Sequence, residues 1–303
     1  MKPPPFDYHV AETLEEACAL KQEHGADARV LAGGQSLIPL MSSRRLTPRV
    51  LIDIKRIPGL QDHRRDNGTL VIGAALRQSR LHDDREIVST LPLLGEAARH
   101  IGHLEIRHRG TVGGNLAHAD PISELPAAAV AIGAEIVARG ANGERRIPAD
   151  EFFAGPRTTT LGDDEVVAEI RYPVLPAGAG WGFAEIARRH GDPAMATAVA
   201  ILELEDGGGV ASASVTIGAV GGRPRRAEAV EAALRGETPT DDRIAEAAMA
   251  AAELVEPEPE PPDTGPTPHP PAIPLGYRRR LAAAVTAQAL TQALERANGK
   301  DRT

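Results

Sequence analysis

Apolar residues along this chain gather in short runs separated by glycine, proline and charged clusters. Thr13 with Glu16 three positions on has the form of a capping box, and Gly25 closes the pattern, so a helix is predicted over 13–25. The run Arg29-Val30-Leu31-Ala32 predicts a strand that leads straight into Gly33-Gly34-Gln35-Ser36. A helical turn or two from Leu37 to Arg45 and a strand from Val50 to Ile54 complete a β-loop-α-β unit, so a parallel pair is expected.

The pattern then changes. Thr69 to Ala74 is strand-like, Leu91 to Ile101 is a helix with an apolar face, and a second glycine loop spans Thr111-Val112-Gly113-Gly114-Asn115. A short Ala-rich helix is predicted from Leu125 to Ile132. Glu135 to Ala138 and Arg145 to Ile147 flank Asn142-Gly143, a strong hairpin signal. Val166 to Tyr172 is a further strand, stopped by Pro173. The Pro- and Gly-containing stretch from Val174 to Gly180 reads as a domain boundary. Beyond it come strands over 181–188, 196–205 and 210–219, with Gly207-Gly208-Gly209 turning the last two into a hairpin. Helices are predicted over 227–234, 243–254 and 278–297. Nine of the 25 prolines fall within 256–274, so this segment is expected to be an extended, solvated loop.

Composition narrows the function classes. With 42 acidic against 34 basic residues the net charge is −8, which is not the footprint of a general nucleic-acid binder. Aromatics are only 3%, too few for base-stacking platforms. Cys18 is the single cysteine, so the chain alone can form neither an internal disulfide nor a four-thiolate Fe–S cluster. No apolar run approaches the ~20 residues of a membrane span. The start, Met1-Lys2-Pro3-Pro4-Pro5, lacks the apolar stretch of a signal peptide, so a cytoplasmic protein is expected. His100, His103, His108 and His118 show no HExxH or Cys/His spacing, and surface or capping roles are predicted for them. Cys18 is expected to be a core thiol. Arg188-Arg189 and Arg278-Arg279-Arg280 are expected to be solvated or salt-bridging faces, or docking points for an acidic partner.

The two Gly-Gly pairs carry the candidate chemistry. Glycine reaches positive φ and lets backbone approach a ligand, and clustered N–H donors favour phosphate or pyrophosphate. Neither loop has the Walker A or GxGxxG form, so from local chemistry alone each is a possible anion site or simply a tight turn.

The longer context resolves this. Ala32-Gly33-Gly34-Gln35-Ser36-Leu37-Ile38-Pro39-Leu40-Met41 and Ile106 to Pro121, with Thr111-Val112-Gly113-Gly114-Asn115 at its centre, resemble the two flavin-binding segments of one family. That family is the FAD-binding medium subunit of molybdenum hydroxylases, including carbon monoxide dehydrogenase and xanthine dehydrogenase flavoproteins. Phe6 with Tyr8, the segment from Thr158 to Pro173, Arg188 to Asp192, and Tyr277-Arg278-Arg279 extend the resemblance over essentially the whole chain.

The resemblance implies an α+β fold. A two-lobed FAD-binding domain of the vanillyl-alcohol oxidase-like type would occupy 1–176, with the lobes split near 56. A smaller α+β C-terminal domain would occupy 177–303. It implies FAD as cofactor, held by Ala32, Gly33, Gly34, Gln35, Ser36 and Leu37 and by Thr111, Gly113, Gly114 and Asn115. Asp120 would lie near the ribityl or sugar portion, and Leu161 would be an apolar neighbour of the cofactor. No catalytic residue and no metal ligand is assigned. The implied partners are a large molybdenum-cofactor subunit and a small [2Fe–2S] subunit, in a dimer of heterotrimers. Two positions depart from the family pattern. Pro193 follows Gly191-Asp192 where the family usually has an aromatic that would control access of the electron acceptor, with a plain turn residue as the alternative reading of Pro193, and His108 replaces a frequent Asn. Two other readings stay open at this point: a self-sufficient FAD-dependent oxidase or reductase of the same fold, and a flavin-free assembly protein.

Overall fold

The computed structural model describes residues 2–257 and 273–299. Most of the predicted Pro-rich loop, residues 258–272, lies outside the described residues. Three layers follow one another along the chain. In the first, β1 (Asp7–Val10), α1 (Leu14–His24), β2 (Ala28–Leu31), α2 (Leu37–Ser42) and β3 (Val50–Asp53) form a parallel sheet of order β1-β3-β2. The predicted parallel pair is β2 with β3, while β1, which sequence patterning passed over, pairs on the far side of β3. Helix α1 starts where expected: Thr13 Oγ1 accepts the Glu16 N–H at 3.1 Å. The returning Glu16 carboxylate takes the N–H of Glu12 at 2.8 Å, one residue before the cap. Cys18 is buried on the inner face of this helix, its thiol donating to the Arg139 carbonyl at 3.1 Å.

The second layer begins with β4 (His63–Asp66) and β5 (Thr69–Gly73). Helices α3 (Arg80–Asp83), α4 (Arg85–Thr90), α5 (Pro92–His100), α6 (Leu104–Arg109), α7 (Val112–His118) and α8 (Glu124–Ile132) follow. Then come β6 (Glu135–Gly140), β7 (Gly143–Pro148), α9 (Ala149–Phe152), the small hairpin β8 (Phe153–Gly155) and β9 (Thr158–Thr159), and β10 (Val166–Pro173). The main sheet is antiparallel, in the order β4-β5-β10-β6-β7. Two expectations are corrected here. The tight turn of the β6–β7 hairpin is Ala141-Asn142, and Gly143, at φ +101°, is already the first residue of β7. Residues 111–115 are not a loop. They are the N-cap and first turn of α7, because Thr111 Oγ1 accepts the Gly114 N–H at 3.2 Å and so nucleates a helix.

The third layer is a four-stranded antiparallel sheet of β11 (Gly180–Ala187), β12 (Ala194–Leu204), β13 (Val210–Gly218) and β14 (Arg225–Arg226). Helices α10 (Glu228–Leu234), α11 (Asp241–Ala248) and α12 (Leu275–Ala297) cover one face. Strand periodicity divides β12 between two cores. Val199 and Ile201, with Phe183 of β11, join the apolar cluster of α5 and α8. Ala198, Ala200 and Leu202 face the cluster of α12 instead. The sheet is therefore buried on both sides, and β11 is fixed against α5. Arg278, expected on the surface, is only 7% exposed and donates to the Glu256 carbonyl at 2.6 Å, so it serves the packing of α12. Among the described residues no helix is long and apolar enough to cross a membrane.

Helix α12 lies on β11 through two glycines. An added Cβ at Gly180 would come within 1.9 Å of the Ala293 carbonyl oxygen, and one at Gly182 within 1.9 Å of that of Ala289. Neither neighbour is a movable side chain tip. Gly182→Ala is expected to lower unfolding free energy by about 2 kcal/mol, the usual scale of overpacking. Gly276→Ala, in the first turn of α12 where a Cβ meets nothing within 4 Å, should not lower it and is expected to raise it slightly through helix propensity. Urea unfolding midpoints of the two variants check this.

Candidate functional site

A cavity of about 780 Å³ opens where the first and second layers meet the β11–β12 turn. That is the size range of small-molecule and cofactor sites. All twelve residues singled out from the sequence, from Ala32 through Leu161, line it, so two segments far apart in the chain form facing walls.

The first wall is the exit of β2. Gly33 is required there by crowding: a Cβ would sit 2.5 Å from the Arg109 carbonyl oxygen and 2.8 Å from Gly110 Cα. Gly34 takes φ +72°, the left-handed conformation that favours glycine. Because the chain has left the β2 ladder and Ser36 and Leu37 only open α2, without a side-chain cap, the N–H groups of Gly33, Gly34, Gln35, Ser36 and Leu37 find no acceptor among the described residues. The next N–H, that of Ile38, returns to the Gly34 carbonyl at 3.1 Å. Gln35 adds a side-chain amide, held by its contact with the Gly33 carbonyl at 3.3 Å. Five consecutive free donors on a cavity wall are a strong anion-binding feature.

The second wall works differently. The Gly113 N–H is taken by the Ala74 carbonyl at 2.9 Å, that of Gly114 by Thr111 Oγ1, and that of Asn115 by the Thr111 carbonyl at 3.0 Å. Gly113 is a packing glycine, since a Cβ would meet Ala74 Cβ at 2.5 Å and Ala74 Cα at 2.7 Å. The second Gly-Gly pair thus provides close approach, and the donors are concentrated on the first. The Asn115 side chain is oriented by Ser123, whose hydroxyl donates to Oδ1 at 2.9 Å.

Asp120 is fixed by residues the sequence did not point to. Arg157 donates to Oδ2 from Nη2 at 3.0 Å and Nε at 3.3 Å, and His118 Nε2 lies 3.7 Å from the same oxygen. Burial pushes this carboxyl up, but the His118 and Arg157 contacts outweigh it and hold it at about 2, so Asp120 is anionic at neutral pH. The backbone is strained on both sides of this pairing. Ala119 has φ +49° and Arg157 φ +52°, and the Arg157 N–H donates to the Ala119 carbonyl at 2.9 Å.

A second charged group was also hidden. Glu124, at the start of α8, lines the cavity yet is only 7% exposed. The only hydrogen bond to its carboxyl among the described residues comes from its own backbone N–H. Burial first, and then the charge of Glu185 of β11, lift this carboxyl to about 8, so it is largely protonated at pH 7. Glu185 in turn faces His100. The imidazole Nδ1 is 3.7 Å from Glu185 and Nε2 is 3.7 Å from Glu96. Glu185 first, then Glu96, hold His100 at about 9 against the opposing effect of burial. His100 is therefore neither a cap nor a free surface residue. His103 does lie at the N-cap position of α6 and His108 is exposed. Only close sequence spacing, which Glu124, Glu185 and His100 lack, would have revealed the cluster.

Pro193, Asp192 and Gly191 of the β11–β12 turn border the same cavity, which brings the departure at position 193 to the site. Gly191 packs on α6, where a Cβ would be 3.1 Å from the Gly102 carbonyl oxygen and 3.2 Å from the His103 ring.

Residues 4–175 match the family described as FAD binding domain in molybdopterin dehydrogenase, and residues 181–293 match CO dehydrogenase flavoprotein C-terminal domain. The chain is 39% identical over 297 residues to the 6-hydroxypseudooxynicotine dehydrogenase complex subunit alpha of Paenarthrobacter nicotinovorans, covering 98% of this chain and 97% of that protein. It is 37% identical to the caffeine dehydrogenase subunit beta of a Pseudomonas strain, with 98% and 97% covered. Among solved structures, a chain of carbon monoxide dehydrogenase from Hydrogenophaga pseudoflava superposes with a TM-score of 0.90 at 39% identity, covering 98% of this chain and 99% of that one.

The state of Glu124 has a consequence for stability. An unfolded glutamate titrates near ~4.3. Between about pH 4 and the folded value of about 8, the folded state keeps a proton that the unfolded state has lost. Stability is therefore lost as pH rises across that window and levels off above it. Glu124→Gln removes the ionisation. The stability of the flavin-free variant relative to wild type should rise between pH 4 and pH 8, read from urea midpoints. Parallel pH profiles would contradict the assigned state.

Proposed function

The chain belongs to the FAD-binding subunits of the molybdopterin dehydrogenases, and on that premise we propose that its cavity holds the FAD through the row of backbone N–H groups from Gly33 to Leu37. The protein is an oxidoreductase subunit with FAD as cofactor, and its role is electron transfer within a multi-subunit molybdenum-containing dehydrogenase. Bound FAD supplies a centre that takes electrons singly and releases a pair, which suits a junction between Fe–S clusters and a two-electron acceptor.

The chain's own residues then have separate tasks. The five free N–H groups receive the pyrophosphate, whose charge satisfies donors that are otherwise unpaired. Ala32 continues this wall. Gly113 and Gly114, behind Thr111, let the opposite wall approach without side chains. Asn115, oriented by Ser123, and Asp120, held anionic by Arg157 and His118, offer polar groups to the ribityl or sugar portion. Leu161 supplies an apolar contact. The Gly191–Pro193 turn sets the width of the opening on the third layer's side, with a proline where an aromatic would project further.

The assembly we propose is a dimer of heterotrimers in the cytoplasm, with a large molybdenum-cofactor subunit and a small [2Fe–2S] subunit. Cys18 is the chain's single cysteine, so the Fe–S clusters must come from another chain. We take the FAD-binding domain as residues 1–176, with its lobes divided near 56, and the C-terminal domain as 177–303.

The row of free donors carries the assignment, and it can be disturbed without breaking the core. At Gly34 a Cβ would meet only the side chains of Ile38 and Leu31, both at 3.3 Å, but the β-branched valine resists φ +72°. Gly34→Val should weaken FAD binding at least ~10-fold, equivalent to about 1.4 kcal/mol, while circular dichroism stays native. Gly113→Val is unsuitable for this purpose, because the Ala74 backbone blocks it and the fold itself would suffer. Fluorescence titration of the flavin-free chain with FAD reads the result, and full affinity in Gly34→Val would refute the assignment.

A further inference from the structure

The Glu124 cluster has no place in cofactor binding as described above, yet it runs from the cavity wall to the surface. Glu124 of α8 lines the cavity. Glu185 of β11, its side chain 4% exposed, accepts from Thr197 of β12 at 3.4 Å. Thr197 sits against α8 one turn on from Glu124, since a Cβ on Gly218 would lie 3.7 Å from Thr197 Cβ and 3.3 Å from Ala127 Cβ. His100 of α5 follows, 25% exposed. Its two ring nitrogens point to two different carboxylates, Glu185 inside and Glu96, 34% exposed, outside. Arg99 pairs with Glu96 at 3.2 Å, the His190 ring lies 6.0 Å from that of His100, and Phe183 stacks on His100 at 4.7 Å. From Glu124's other side the charged neighbour is Asp120.

We propose that Glu124, Glu185 and His100 form a proton relay that connects the cavity with solvent. The proposal rests on the cavity holding FAD, whose two-electron reduction takes up protons. Imidazole is the side chain suited to the middle of such a path, since it accepts a proton on one nitrogen and releases one from the other. The two 3.7 Å contacts of His100 are longer than hydrogen bonds, and a bridging water or a small ring rotation closes each of them, while the step from Glu185 to Glu124 runs through water.

The proton count closes. The Glu124 carboxyl releases one proton into the cavity and becomes a carboxylate. Imidazolium His100 passes its Nδ1 proton to Glu185, Glu185 passes a proton to Glu124, and the His100 ring then turns over, so that its bare Nδ1 faces Glu96 and regains a proton from solvent while the Nε2–H comes to face Glu185. One proton moves inward, all three side chains are restored, and no electron travels along them. Electrons reach the cavity separately, from an Fe–S partner or a chemical reductant. Reoxidation runs the path outward.

The test uses the full chain loaded with FAD and reduced by dithionite in a stopped-flow instrument, in H₂O and D₂O, from pH 6 to 10. FAD content of each protein is measured first. Glu185→Gln keeps the shape but cannot carry the proton, and should bleach the flavin at least ~10-fold more slowly with an enlarged solvent isotope effect. His100→Ala should be slowed similarly and recover on addition of free imidazole, a recovery that lost packing alone would not give. A wild-type chain that takes up no FAD overturns the cofactor assignment and the relay with it. FAD-loaded variants with wild-type rates and isotope effects overturn the relay alone, as does slowing without an isotope effect or imidazole rescue.

Discussion

Five consecutive backbone N–H groups, from Gly33 to Leu37, without an acceptor among the described residues are the feature on which the proposed site depends. Buried or cavity-facing amides are nearly always paired, and leaving one unpaired costs on the order of 1–3 kcal/mol. The fold holds this row in place because β2 is clamped in a parallel sheet with β3 and cannot extend its ladder past Leu31. The carbonyl of Arg109 then presses on Gly33 from the second layer, so the two layers meet where the donors begin. An anion with several acceptor oxygens would relieve that cost at one point, which is why we propose this wall, and not the opposite one, for the cofactor's diphosphate.

The opposite wall explains why a repeated motif does not mean a repeated role. Both Gly-Gly pairs were legible in the sequence as cavity-lining elements, and each lines the cavity. What the residues alone did not separate was donor from spacer. At Gly113 and Gly114 the N–H groups belong to α7 and its cap, and glycine is needed for the approach of Ala74 and of Thr111. Helix or loop at that point turns on one threonine hydroxyl, a contact that periodicity does not register.

Most strands and helices were readable because their apolar positions face a single core each. β1 escaped because it is short and largely exposed, as its Tyr8 is at 51%. The charged groups of the site were the hardest to read. Asp120 was expected at the cavity, but its partner Arg157 comes from the tight turn joining β8 and β9. Glu124, Glu185 and His100 meet only because the third layer's sheet buries one face against α5 and α8. Such clusters are set by tertiary packing, and one sequence gives no periodic signal for them.

The third layer is thus more than a lid. Its β11–β12 turn borders the cavity, and its inner strand face shares a core with the helices that carry Glu124 and His100. The central claim is still the donor row, and hydrogen–deuterium exchange with residue-level resolution reads it most directly. On adding FAD to the flavin-free chain, the amides of Gly33 to Leu37 should become strongly protected, while those of Gly113 and Gly114, already bonded within the protein, should change little. FAD binding with no added protection from 33 to 37 would contradict the account.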